Sequence, residues 1–94
     1  MIAIPPDDLF AELEEENPEA LLADGFESCL LGYTCNQHHP VVAVYDLAAC
    51  VQKLMQDGMS EDDAVEYLSF NTLGAYVGPN GPLFVRTSDA AQSA

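Results

Sequence analysis

Four side chains that bind zinc in other proteins lie within 11 residues of this chain: Cys29, Cys35, His38 and His39. A tetrahedral zinc site needs four ligands, and Cys35 and His38 have an acceptable spacing for one pair. In an extended strand, however, Cys29 and Cys35 lie about 20 Å apart, too far to share one ion. We therefore interpret these residues as core thiols and turn histidines, and expect neither a metal site nor another cofactor.

Covalent catalysis by Cys35 with His38 is the second chemistry that these residue types suggest. No cation or oxyanion donor accompanies the pair, and the surrounding negative charge disfavours a thiolate. The chain also lacks a G-x-S-x-G elbow, a P-loop, an H-E-x-x-H pair and a D-x-D-x-D-G calcium loop. The glycine-containing segment 78–82 is followed by neither a lysine nor a predicted helix, so we interpret it as a turn rather than as a phosphate-binding loop. We expect the protein not to be an enzyme.

The net charge is the strongest compositional feature: 16 acidic against 2 basic residues give −14. Lys53 and Arg86 are too few to bind nucleic acid through its phosphates or to dock on an anionic membrane. Nine of the 16 acidic residues precede residue 28, and a second group occupies 57–66. The stretch 29–45 between these groups contains no charged residue, which predicts an interior segment with acidic segments around it.

The elements that position these residues follow from periodicity and capping. An apolar content of 49% and the length predict one folded domain over 7–86, a flexible start at 1–6 and a disordered tail at 87–94. Helices are predicted after Asp7, at 19–23, after Asp46 and after Ser60, the last continuing through Leu73. Strands are predicted at 28–34, 41–45 and 83–86, with a turn at 78–82. The predicted class is α+β, with a small antiparallel sheet of about three strands packed with an αα-hairpin and an N-terminal helical segment.

Six short segments carry a resemblance to a known family: DGFE at 24–27, LLG at 30–32, VYD at 44–46, GMS at 58–60, EYLSFN at 66–71 and GAYVG at 74–78. Over residues 24–85 the chain resembles a family of small acidic proteins of phages, prophages and other prokaryotic mobile elements. The resemblance implies a role in phage–host interplay and assigns no catalytic residue.

Charge and resemblance together predict an acidic interaction protein that occupies a basic groove of a host nucleic-acid-binding or defence complex. Such a protein resembles a DNA mimic or an anti-CRISPR inhibitor; its partner is a host protein with a basic surface, and its location is the host cytoplasm. Three cysteines without a disulfide framework and the lack of a signal peptide agree with that compartment. The predicted contact residues are all acidic: Asp7, Asp8, Glu12, Glu14, Glu15, Glu16, Glu19, Asp57, Glu61, Asp62, Asp63 and Glu66.

Two alternatives stay open. The first is a binding module for a small ligand, with a pocket walled by Tyr45, Tyr67 and Tyr76 and directed by the amide of Asn71. An anionic ligand fits this alternative only if Arg86 or Lys53 lies in the pocket. The second is a homo-oligomeric phage structural protein, which the apolar run 64–77 favours.

Overall fold

A computed structural model describes residues 6–35, 38–70 and 77–87 of the chain. Over these residues the elements occur in the order α1 (Pro6–Glu16), a 3₁₀ turn (Glu27–Cys29), β1 (Leu30–Tyr33), β2 (Ala43–Asp46), α2 (Leu47–Gln56), α3 (Glu61–Leu68) and β3 (Leu83–Val85). The predicted α+β class, with an N-terminal helix, a helical hairpin and a sheet of three strands, is confirmed.

The sheet has the strand order β1-β2-β3 and is mixed. β1 and β2 are antiparallel, as predicted, with Leu30 opposite Tyr45 and an irregularity before Gly32. β3 departs from the predicted antiparallel sheet because it runs parallel to β2, with Val44 opposite Leu83. The α2–α3 hairpin lies between β2 and β3 in the chain, and a crossover of this kind returns the chain in the direction that a parallel pair requires.

The N-terminal helix forms where predicted and begins at Pro6, one residue before Asp7. Proline suits the first helical position because its missing N–H has no intrahelical acceptor there. Leu9 and Leu13, four residues apart, are both buried, so one face of α1 packs against the core. Asp7 therefore lies inside the first turn of α1 rather than at the predicted cap.

The segment between α1 and β1 differs from its prediction. The short helix predicted at 19–23 is wrong, because residues 18–19 form a turn and 20–23 are irregular. The backbone N–H of Leu21 donates to the carbonyl of Asn80 at 3.0 Å. The N–H that would donate within the predicted helix is therefore bonded to a distant segment. The strand predicted from residue 28 begins at Leu30, because Glu27–Cys29 form a 3₁₀ turn.

The helical hairpin has the predicted caps. The Asp46 carboxylate accepts from the N–H of Ala48 at 3.0 Å, and the Ser60 hydroxyl accepts from the N–H of Asp63 at 3.1 Å. Gly58 follows α2 with a φ of 111°, a conformation that L side chains avoid. Residues 69–70 continue α3 as a π-helical turn, and residues 71–73 of the predicted helix lie outside the described residues.

The core lies between the sheet and the helices. Tyr45, Leu13, Leu68 and Cys50 are its largest fully buried side chains, and they come from β2, α1, α3 and α2. No polar or charged residue is buried in the described part of the chain. Within these residues, no helix is long and apolar enough for a membrane crossing.

Candidate functional site

The first candidate site is the acidic surface of α1. The helix buries Leu9 and Leu13, so its acidic residues occupy the remaining faces. Asp8 and residues 14–16 have exposed side chains, Glu12 is partly buried, and Asp7 lies in the first turn. Glu19 is exposed in the turn that follows. The predicted contact residues of the N-terminal group thus share one helix and its end.

The second acidic group surrounds the start of α3. Glu61, Asp62 and Asp63 occupy the first turn, where carboxylates interact favourably with the positive end of the helix dipole. All three side chains are exposed, as are Asp57 at the end of α2 and Glu66 on α3. α3 packs against α2, whereas α1 packs against β1, so the two acidic groups lie on different parts of the fold.

Little of this negative charge is neutralised. Fourteen acidic side chains are described, and all except Glu12 and Asp46 are exposed. Among the described residues the only ion pair joins Lys53 Nζ to Asp57 Oδ2 at 3.6 Å. The pKa of the Tyr33 phenol is raised, first by partial desolvation and then by the carboxylates of Glu12 and Glu16. The field of α1 therefore extends over the neighbouring strand β1.

A carboxylate outside the two groups is held by the backbone instead. The backbone N–H groups of Glu27 and Gly25 hydrogen-bond to the carboxylate of Glu27 and lower its pKa. The Gly25 N–H lies 3.3 Å from Glu27 Oε1. Glu27 is thus a charged residue that also organises the turn before β1.

The second candidate site is an open cavity of about 880 Å³ between the 21–26 segment, residues 39–42, α3 and the 77–83 segment. Leu21, Leu22, Val77 and Leu83 line it and remain 42–54% exposed. Tyr67 on α3 forms another part of the wall, while His39 and Asp24 supply polar groups. Its volume lies in the range of about 300–1,000 Å³ that small-molecule sites occupy.

Asn17 connects the segments that form this cavity. Its side-chain amide donates to the carbonyl of Val41 at 2.8 Å and to the side-chain oxygen of Asn80 at 3.0 Å. Its own side-chain oxygen accepts from the N–H of Glu19 at 3.1 Å. No local pattern in the sequence indicates this role, because Asn17 and Asn80 lie 63 positions apart in the chain.

The predicted aromatic pocket is divided in the structure. Tyr67 lines the cavity. Tyr45 is fully buried and stacks on Phe84, with ring centroids 5.3 Å apart, so it is a core residue rather than a wall of the cavity. Asn71 and Tyr76 lie outside the described residues. The central strand takes Tyr45 into the core because its side chain points to the buried face of the sheet.

The cysteines and histidines lie in two environments. Cys29 and Cys50 are buried, whereas Cys35, His38 and His39 are exposed. Burial raises the pKa of the Cys50 thiol to about 12, with further contributions from the adjacent Cys29 and from Asp46. Cys50 therefore stays protonated and serves packing. Over residues 6–35, 38–70 and 77–87, no three His, Cys, Asp or Glu side chains are placed to hold a metal ion.

Comparison with known proteins identifies no relative of this fold. No protein-family model, no curated protein and no solved structure matches the chain. The resemblance of residues 24–85 to acidic proteins of phages stays a prediction.

Proposed function

We propose that this protein binds a basic surface of a partner protein and blocks that surface against nucleic acid. The observation that carries the proposal is the exposure of the described acidic side chains, of which only Asp57 forms an ion pair with a described cation. Twelve of the fourteen described acidic side chains are exposed, and one ion pair joins described residues. A surface of this kind attracts basic proteins and repels nucleic acid and copies of itself.

The charge density supports competition with DNA. The protein carries −14 and its longest dimension is 37 Å. Duplex DNA carries one charge per about 1.7 Å, so a segment of that length holds about 22 phosphate charges. The two values agree within a factor of two. A basic groove that binds duplex DNA therefore meets a comparable field at this protein, and their association is fast and sensitive to salt.

The resemblance to phage proteins narrows the class of partner. A phage gains from blocking host proteins that bind or cut its DNA, and such proteins present basic grooves. We therefore infer a host nucleic-acid-binding or defence complex as the partner, with inhibition by occupancy rather than by chemistry. The contact surface comprises exposed carboxylates of α1 and of the start of α3.

The test measures displacement of a labelled DNA duplex from a panel of purified host nucleic-acid-binding complexes, including defence nucleases. Fluorescence anisotropy is recorded at about 0.05 and about 0.5 M NaCl, where screening differs strongly. We expect displacement from at least one complex, with the affinity at least about tenfold weaker at the higher salt. Failure to displace DNA from any complex, or displacement that salt leaves unchanged, contradicts the proposal.

Two charge-matched variants locate the surface. Glu14→Gln with Glu15→Gln and Asp24→Asn with Glu27→Gln each remove two negative charges from exposed positions. The first pair lies on α1, whereas the second lies outside the proposed surface, and glutamine retains an oxygen that can accept from Gly25. We expect the α1 pair to weaken displacement about tenfold and the other pair to change it less than about twofold. Equal losses of displacement in the two double variants would show that net charge, and not the α1 surface, determines binding.

A second candidate function is binding of a small molecule in the cavity that Tyr67 lines. The observation that favours it is the volume of about 880 Å³ with mostly apolar walls. A bound ligand raises the thermal unfolding temperature by mass action, so a nucleotide and metabolite library can be screened. Leu22→Gln should abolish the rise, whereas Leu31→Gln should retain it. Both leucines are 47% exposed, but only Leu22 lines the cavity.

A further inference from the structure

A groove lined by α2, α3 and the residues that follow β3 is distinct from the large cavity and meets the acidic surface only at Glu61. It consists of two adjoining hollows of about 280 and about 530 Å³. Both hollows are lined by Ala48 and Val51 of α2, by Val65 of α3 and by Arg86, which follows β3. The helices thus provide apolar walls, and the end of the sheet provides one guanidinium group.

The charge of Arg86 distinguishes this groove from the rest of the surface. Lys53 and Arg86 are the only basic residues of the chain, and Lys53 pairs with Asp57 at 3.6 Å. Arg86 is exposed and makes no ion pair with any described residue. Arg86 is thus unpaired among the described residues and lies beside an apolar surface. A guanidinium binds a carboxylate through two parallel hydrogen bonds, so the groove is suited to an acid that also has an apolar part.

The two ends of the groove differ in polarity. The smaller hollow is lined by Leu47 and Leu68, and Leu68 is fully buried. The larger hollow is lined by Gln52, Gln56 and Glu61, whose carboxylate repels an anion. An acidic headgroup at Arg86 therefore directs its apolar chain toward Leu47, away from Glu61.

We propose that this groove binds a small amphipathic carboxylate, with the carboxylate on Arg86 and an alkyl chain between α2 and α3. A second copy of the chain does not suit the groove, because two proteins of charge −14 repel each other. Residues 88–94 are small or polar in sequence and offer no large apolar side chain for it. The site binds through Arg86 and an apolar surface, so it does not depend on the acidic contacts of α1 and α3, although Glu61 borders both.

The probe for this site is octanoate, compared with octan-1-ol and octylamine of equal chain length. Titrations followed by ¹H–¹⁵N NMR report the dissociation constant and the residues affected. We expect shifts centred on residues 47–51, 65–69 and 86, and an affinity for octanoate at least about tenfold above that for the alcohol. Absence of octanoate binding, or an alcohol or amine that binds as tightly, overturns the proposal.

Two variants with the same net charge separate a specific contact from the general field. Arg86→Gln and Lys53→Gln each remove one positive charge, but only Arg86 lines the groove. Arg86→Gln should lower the octanoate affinity about tenfold, to the level of the alcohol, whereas Lys53→Gln should change it less than about twofold. Equal losses in the two variants overturn the assignment to Arg86.

A third variant tests the apolar part of the site. Val65 is 46% exposed on α3, so Val65→Gln is compatible with the fold, since glutamine is a good helix former. It should weaken octanoate and octanol alike by about fivefold. Leu31→Gln, at a 47% exposed position on β1, should weaken neither. Unchanged binding in Val65→Gln would place the ligand elsewhere and overturn the proposal.

Discussion

The phenolic oxygen of Tyr45 accepts a hydrogen bond from the backbone N–H of Ala23 at 3.0 Å. Tyr45 belongs to the central strand and is fully buried, whereas Ala23 belongs to the irregular segment that lines the large cavity. Burial raises the pKa of Tyr45, and the N–H of Ala23 opposes that rise. This single bond connects the centre of the sheet to the wall of the cavity.

Removal of that hydroxyl should therefore lower stability. Tyr45→Phe keeps the ring stacked on Phe84 and leaves the N–H of Ala23 without its acceptor. We expect a loss of about 1–2 kcal/mol in the free energy of unfolding, measured in urea. Tyr33→Phe is the control, because the described residues show no hydrogen bond to its hydroxyl, and it should cost less than about 0.5 kcal/mol. Equal costs would contradict the role of the bond.

The end of α2 depends on the backbone of Gly58. Its φ is 111°, and a Cβ built there meets no atom within 4 Å, so strain rather than collision opposes a side chain. Gly58→Ala should destabilise the protein by about 1–2 kcal/mol in urea unfolding. Gly32→Ala is the matched control, because that position is equally open but has no positive φ. A neutral Gly58→Ala would show that the turn relaxes without cost.

Alkaline pH should destabilise the protein through Cys50. Its pKa is raised by burial from 9.0 to about 12 in the folded chain, so the unfolded chain loses the proton first as the pH rises. The free energy of unfolding that the protonated Cys50 thiol contributes is fully present below about pH 9. It is lost as the pH rises toward 12, at about 1.4 kcal/mol for each pH unit. Tyr45 acts in the same direction at higher pH, because burial also raises its pKa.

Urea unfolding at intervals between about pH 8 and pH 10 measures this slope before the tyrosine contributes. Cys50→Ala lowers stability at every pH but should flatten the decline. Cys35→Ala, at an exposed position, should keep the slope of the parent chain. A parental slope in Cys50→Ala would show that another group titrates.

Salt should stabilise the folded protein. Exposed carboxylates repel each other across the surface, and Lys53–Asp57 is the ion pair that the described residues form. Raising NaCl from about 0.02 to about 0.5 M shortens the Debye length several-fold and should raise Tm by about 5 °C. The pair Glu14→Gln and Glu15→Gln should reduce that increase, as measured by differential scanning calorimetry. An increase of equal size in the variant would assign the salt effect to something other than the α1 carboxylates.

Local patterns predicted α1, α2 and α3 and the N-caps of α2 and α3. Asp46 and Ser60 accept the hydrogen bonds expected of N-caps, and α1 buries the apolar positions that share one face. Each of these features depends on residues within about four positions of each other, a distance over which periodicity and capping act. The helix predicted at 19–23 was wrong because the donor of Leu21 pairs with Asn80 instead.

The candidate sites were predicted less completely. The acidic positions were evident from residue type alone, because carboxylates without partners stay on the surface. Tyr67 lines the large cavity, whereas Tyr45 lies in the core because β2 is the central strand and is covered by the helices. The groove at Arg86 forms where β3 ends. β3 pairs with β2 in the sheet although the two strands are far apart in the sequence, so no local pattern indicates the groove.

The sequence by itself determined the net charge of −14, the exposure of most of the described carboxylates, the caps of α2 and α3, and the α+β class. These properties follow from residue type and from contacts between near neighbours. Only the tertiary structure decided that β3 runs parallel to β2, that Asn17 joins Val41 to Asn80, and that Arg86 lies beside the α2–α3 groove. Those pairings join residues that are far apart in the chain, and they are selected by the burial of the whole core, which no local pattern contains.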